Sequence, residues 1–160
     1  MVDAVCNPRH DPGGADPEVI AVKSTRTAPW VLVVDDDAEL RETLRRMLES
    51  ISYRATCVAD ANAAIAAIDE AKPDSIITDI YMPAGDGFEL LNWMRRQEIA
   101  VPVIAISGSS RTLSDRSHYD PLQMAQQLGA VAVLDKPFRQ STLAETIDRV
   151  LANRSIPPRG

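Results

Sequence analysis

The chain is short of several things that would each direct the reading elsewhere. It has two cysteines in 160 residues, Cys6 and Cys57, too few for a disulfide framework and wrongly spaced for a zinc site. No apolar run approaches the roughly 20 residues that span a bilayer, so no membrane insertion is expected. The first residues, Met1 to Asp11, lack the basic-then-apolar order of a signal peptide. Basic side chains are in deficit, 17 against 23 acidic, for a net charge of -6. A nucleic-acid binder needs a basic stripe to displace counterions from phosphates, so no nucleic-acid partner is expected. No internal repeat is present. Together these absences point to a reducing compartment, the cytoplasm.

What remains is a chain that is 45% apolar, long enough for one domain with a substantial core. Residues 1–28 carry Pro8, Pro12, Pro17, Gly13 and Gly14 and read as a mobile extension, with a short docking strand at Val19–Val22 as the alternative. From Trp30 the pattern becomes regular. WVLVVD is a continuous apolar run that suits a strand buried on both faces of a parallel sheet. Asp37 then caps a helix whose Leu40, Leu44, Met47, Leu48 and Ile51 fall at helical spacing. RATCVA, SIITD, PVIAIS and AVAVLD read as four more strands, with Cys57 a small core residue on the second. An alanine-rich helix capped by Asp60, FELLNWMRRQ, LQMAQQLG and TLAETIDRVLA read as the helices between and after them. Five strand–helix units in alternation demand an α/β fold, a parallel sheet with right-handed crossovers and helices on both faces. The tail after Leu151, with Pro157 and Pro158, reads as frayed chain.

In such sheets ligands gather beyond the carboxyl ends of the strands. There the sequence places Asp35, Asp36 and Asp37 after strand one, Asp79 at the end of strand three, Ser107 at the end of strand four and Lys136-Pro137 after strand five. Singly, each has a plain structural reading as a cap, a turn residue or a surface charge. Together they make coherent chemistry. Crowded carboxylates repel, which raises a pKa unless a cation sits among them. Mg2+ suits oxygen donors and keeps a position for a phosphoryl oxygen. A carboxylate such as Asp79 can then act as a nucleophile and form an acyl phosphate, while Lys136 and the Ser107 hydroxyl meet the phosphoryl oxygens.

The stretches VLVVDDDAELRETL, IITDIYMPAGDGFELL, VIAISGSS and GAVAVLDKPF resemble the receiver domain of two-component response regulators. The resemblance runs from about Trp30 to Leu151. It implies a flavodoxin-like sheet of order 2-1-3-4-5, Asp79 as phosphoacceptor, and Mg2+ held by Asp36, Asp79 and the backbone carbonyl of Tyr81, with Asp35 acting through water. It further implies Ser107 as a switch hydroxyl, Lys136 as the phosphoryl-binding cation and a cis bond to Pro137. Its partners would be a sensor histidine kinase or a histidine phosphotransfer protein, and a downstream protein target. The expected domains are an extension over 1–28, a receiver over 29–152 and a tail over 153–160 with no output domain. The protein would be no enzyme beyond its own phosphorylation and dephosphorylation.

Three positions depart from the family pattern. Twenty-nine positions separate Ser107 from Lys136, several more than usual, and the excess falls in the polar loop 108–120. Val133 stands where many receivers have an aromatic that turns inward with the switch hydroxyl; Tyr119 is a candidate substitute on the signalling face. Ser107 replaces the more frequent Thr and keeps the hydroxyl. Two other function classes remain open. One is a receiver-like interaction module that works without phosphate. The other is a haloacid-dehalogenase-type phosphatase, whose nucleophile, however, follows strand one in a D-x-D-x-[TV] pattern that D-D-D-A-E lacks.

Overall fold

Strand β1 (Trp30–Val34) is an interior strand of the sheet, hydrogen-bonded on both sides, and its residues Val31 to Val34 are completely buried. A computed structural model describes residues 27–82, 87–108 and 121–154. Val19–Val22, Ser109, Tyr119, the rest of the stretch 109–120 and residues 155–160 lie outside the described residues; of the frayed tail expected after Leu151, Ala152, Asn153 and Arg154 instead continue the last helix.

The remaining elements follow in strict alternation: α1 (Ala38–Ser50), β2 (Arg54–Val58), α2 (Ala61–Glu70), β3 (Ser75–Asp79), α3 (Gly87–Arg96), β4 (Val103–Gly108), α4 (Pro121–Gln127), β5 (Ala132–Lys136) and α5 (Gln140–Arg154). All four strand pairings are parallel, and the sheet order is β2-β1-β3-β4-β5. The predicted fold class and strand order are those observed. Alternation along each strand divides the core in two. Leu32, Val34 and Ile76 pack with Ala64 and Ile68 of α2, Phe88, Leu91 and Met94 of α3 and Ala125 of α4. Val31, Val33 and Ile77 pack with Leu44 and Leu48 of α1 and Leu143 and Ile147 of α5. Each such fully buried aliphatic side chain stabilises the fold by roughly 1.5–3 kcal/mol.

Helix starts are set by the residues expected to set them. The Asp37 carboxylate accepts from the N–H groups of Glu39 (2.9 Å) and Leu40 (3.3 Å), and Asp60 accepts from Ala63 N–H at 2.8 Å. Both satisfy donors that have no partner inside the helix. After α4, Gly129 takes φ +111°, a conformation that L side chains rarely adopt. Helix α5 is tied back to the turn before β2, where the Tyr53 hydroxyl donates to Asp148 Oδ1.

Two residues differ from their sequence reading because of position. Trp30 opens its strand and is half-buried, its indole N–H donating to Thr56 Oγ1 at 2.9 Å. Cys57 was expected in the core but is half-buried at its margin, because β2 is an edge strand paired along one side only. Burial still pushes its thiol pKa above the ordinary value.

Candidate functional site

Strand register brings the candidate residues to one level. Val34 pairs with Thr78, so Asp35 and Asp79, the next residue on each strand, end side by side. Asp79 pairs with Ile106 on β4, which places Ser107 one residue beyond it. Ser107 pairs with Asp135 and Gly108 with Lys136, so the lysine stands two residues past the level of Asp79. From there its long side chain reaches back. Lys136 Nζ lies 3.1 Å from Asp35 Oδ2 and 3.1 Å from Asp79 Oδ2. The Lys136–Pro137 peptide bond is cis.

The three acids form a true cluster. One carboxylate oxygen from each of Asp35, Asp36 and Asp79 lies within 4.8 Å of the others. Asp35 is wholly buried and Asp79 nearly so, whereas Asp36 is exposed. Asp35 Oδ1 accepts from the Asp37 N–H at 2.9 Å. Asp79 Oδ1 accepts from the Tyr81 N–H at 3.2 Å, which brings the Tyr81 backbone beside the cluster. The Tyr81 ring is 51% exposed and meets Phe88 edge-on, with centroids 6.3 Å apart. Ser107 is buried, and its hydroxyl donates to the Gly108 carbonyl over a long 3.3 Å. Val133 sits in mid-strand opposite Ala105, half-buried against the core that includes α4.

Burial pushes the Asp35 carboxyl above its ordinary 3.8, and the Asp79 charge pushes it further. The Asp37 N–H and the Lys136 ammonium oppose the rise without cancelling it. The sequence reading attributed such a rise to mutual repulsion; desolvation is the larger cause, because Asp35 lies beneath the cluster rather than at its mouth. For Lys136, burial alone would lower the pKa. The attraction of Asp79 and Asp35 outweighs it and holds the ammonium above its ordinary 10.5.

These donors fit a hard divalent cation. When all three acids are ionised, one ammonium against three carboxylates leaves two negative charges uncompensated. The donors are oxygens, the exposed Asp36 gives access from solvent, and Mg2+ prefers such a set with water completing its shell.

Two contributors had no part assigned to them in the sequence reading, which took Gly87 only as a loop marker with Pro83 and Gly85, whereas it opens a helix. Gly87, the first residue of α3, packs so close to β3 that a Cβ there would lie 2.2 Å from the Asp79 carbonyl oxygen. Its N–H donates to the Ile80 carbonyl at 3.0 Å. Arg41, in α1, donates from Nη1 to the carbonyls of Asp35 (2.7 Å) and Asp36 (3.1 Å). The available signal was electrostatic: a cation near the positive end of a helix opposes the helix dipole and therefore calls for another reason to be there.

Residues 31–148 match the sequence model of the response regulator receiver domain. The chain is 33% identical over 127 residues to the transcriptional regulatory protein FixJ of Bradyrhizobium diazoefficiens, covering 78% of this chain and 58% of that protein. It is 35% identical over 126 residues to the transcriptional regulatory protein PrrA of Mycobacterium tuberculosis, covering 79% and 50% respectively. It thus spans only about half the length of these curated relatives. Among solved structures, the receiver domain of the Francisella response regulator 1452 superposes with a TM-score of 0.69 at 28% identity, over 79% of this chain and 99% of that one.

Proposed function

The chain belongs to the response regulator receiver domain family, and from that premise we propose that Asp79 accepts a phosphoryl group from a phosphohistidine donor in a Mg2+-dependent reaction. The observation that carries this reading is the single cluster in which Asp79 Oδ2 faces Lys136 Nζ at 3.1 Å beside Asp35 and Asp36.

In this reading Asp36, Asp79 and the Tyr81 carbonyl would hold the metal, and Asp35 would complete the acidic pocket around it. Bound Mg2+ supplies positive charge to the phosphoryl oxygens. An Asp79 carboxylate oxygen forms the new O–P bond as the P–N bond of the donor breaks, and the histidine nitrogen leaves with that electron pair. Lys136 turns from the carboxylates to the incoming oxygens; its raised pKa keeps it charged for that task throughout the physiological range. The acyl phosphate is later lost to water or passed to a phosphotransfer protein.

Output begins with the added dianion, which biases a two-state loop. The Ser107 hydroxyl, which donates to the Gly108 carbonyl over a long 3.3 Å, swings towards the phosphoryl group. Val133 has no ring to turn inward, so the change reaches the surface near α4 through packing shifts. The donor is a sensor histidine kinase or a phosphotransfer protein, and the target is another protein. A donor charged from ATP places the exchange in the cytoplasm; no helix among the described residues is long and apolar enough to cross a membrane.

The test is incubation of the purified chain with acetyl phosphate and Mg2+, followed by intact-mass measurement. One added phosphoryl group is expected, and it is lost when the metal is chelated. No gain with acetyl phosphate or with a phosphorylated kinase donor would end this reading.

A further inference from the structure

We infer that Arg41 is a positioning residue for the acid pair: it holds the peptide planes of Asp35 and Asp36 and so fixes where the Asp36 carboxylate is presented to Mg2+. The inference rests on the reading above of this cluster as the metal site of phosphoryl transfer.

The two acids are secured very differently. Asp35 is held through its N–H on the Val58 carbonyl (3.2 Å), through Oδ1 on the Asp37 N–H, and through Oδ2 on Lys136. Asp36 is exposed, and among the described residues Arg41 is the one side chain bonded to it. A single guanidinium nitrogen spans two consecutive carbonyls, five and six residues upstream. That contact fixes the orientation of both peptide units. The next residue, Asp37, is pinned as the cap of α1. The Asp36 backbone is therefore clamped from both sides while its carboxylate stays open to solvent.

Helix electrostatics do not explain the arginine, because the positive end of α1 disfavours a cation there. Nor does a salt bridge: among the described residues the acids of α1 that form ion pairs, Glu42 and Glu49, do so with Arg45 and Arg46. What remains is its hold on the turn. A planar, delocalised guanidinium suits that task better than an ammonium, since its donors are fixed relative to one another.

Two effects of Arg41 on metal affinity have opposite signs, which makes the inference testable. As a nearby positive charge it repels Mg2+, so removing it would tighten binding. As a clamp it presets the Asp36 carboxylate, so removing it would weaken binding. The guanidinium is engaged with the Asp35 and Asp36 carbonyls and makes no ion pair with the carboxylates of the cluster among the described residues, so the clamp dominates.

The experiment is Mg2+ titration by calorimetry on the full chain, as wild type, Arg41→Met and Arg41→Lys, with thermal melts alongside. Arg41→Met is expected to weaken Mg2+ binding on the order of 10-fold, the usual effect of removing a group that orients a metal ligand. Arg41→Lys loses less. Slow phosphoryl uptake by Arg41→Met at low Mg2+ returns to the wild-type rate at saturating Mg2+. A merely structural role would lower the melting temperature and leave the Mg2+ constant unmoved. A folded Arg41→Met chain that binds Mg2+ as tightly as wild type, or more tightly, overturns this inference alone. If Arg41→Met does not fold, Arg41→Lys is judged by the same criterion. A wild type that binds no Mg2+ overturns the site reading and this inference with it.

Discussion

Lys136 Nζ is equidistant, at 3.1 Å, from Asp35 Oδ2 and Asp79 Oδ2, although 101 and 57 positions of sequence separate it from them. One ammonium is thus shared by two buried carboxylates, and the stability of the metal-free protein is expected to depend on it.

Lys136→Met is expected to destabilise the metal-free chain by about 2 kcal/mol, the usual scale for leaving a buried polar group unsatisfied. Added Mg2+ should raise the stability of this variant more than that of wild type, because the metal then supplies the missing positive charge. The pH dependence has a definite sign. The Lys136 pKa is raised on folding, so its stabilising contribution is complete below 10.5 and fades as pH climbs through the raised value. Urea melts across that range should show the gap between wild type and variant closing. A gap that persists at the alkaline end would refute the assignment.

Asp35→Asn should act in the opposite direction. The folded-state pKa of Asp35 lies above 3.8, chiefly because of burial, so folding favours its neutral form. At low pH, where Asp35 is protonated both folded and unfolded, the aspartate imposes no cost. As pH rises above 3.8 the unfolded chain ionises first, and wild type loses stability relative to the amide until the folded pKa is passed. The metal-free variant should therefore melt higher than wild type at neutral pH and gain less from Mg2+. Equal melting at neutral pH would show that the burial penalty has been overstated. Such an exchange of stability for function is common at active sites.

Gly87→Ala inserts a Cβ 2.2 Å from the Asp79 carbonyl oxygen. Backbone must move, at a cost of about 2 kcal/mol on the scale of overpacked interiors. The displaced backbone is that of Asp79 itself, so phosphoryl uptake should slow as well. A variant with wild-type uptake and wild-type melting would mean that α3 shifts without disturbing β3.

Tyr53 provides a marker remote from the site. Burial and then its bond to Asp148 push its pKa up to about 12. The stabilising contribution is whole below the ordinary value of 10.0 and is lost as pH rises from there through about 12. Ultraviolet titration of wild type against Tyr53→Phe should remove one late-ionising phenol. If the phenol lost titrates near 10.0 instead, the contact with α5 is not maintained in solution.

The strand ends were legible in the sequence for a simple reason. A strand buried on both faces is a run of apolar residues, and the first acids after it mark its carboxyl end, so Asp35, Asp36 and Asp79 stand out without any structure. The parallel order follows from the alternation with helices. What the pattern does not carry is burial depth across the cluster. Nothing in D-D-D distinguishes the wholly buried Asp35 from the exposed Asp36; that difference arises from the cover of α1 and from Lys136 reaching back over β4. Arg41 was missed for a related reason. Its partners are main-chain carbonyls, which every residue has, so no side-chain pairing rule points to it. The half-buried state of Cys57 likewise depends on β2 being an edge, which sheet order reveals and local pattern does not.

The central claim is that Asp79 carries the phosphoryl group. Its most direct measurement is borohydride reduction of the chain after treatment with acetyl phosphate and Mg2+, followed by peptide mass mapping. An aspartyl phosphate is reduced to homoserine, and the account predicts that change at Asp79 and its absence in Asp79→Asn. Conversion at another residue in wild type, or equal phosphoryl uptake by Asp79→Asn, would contradict it.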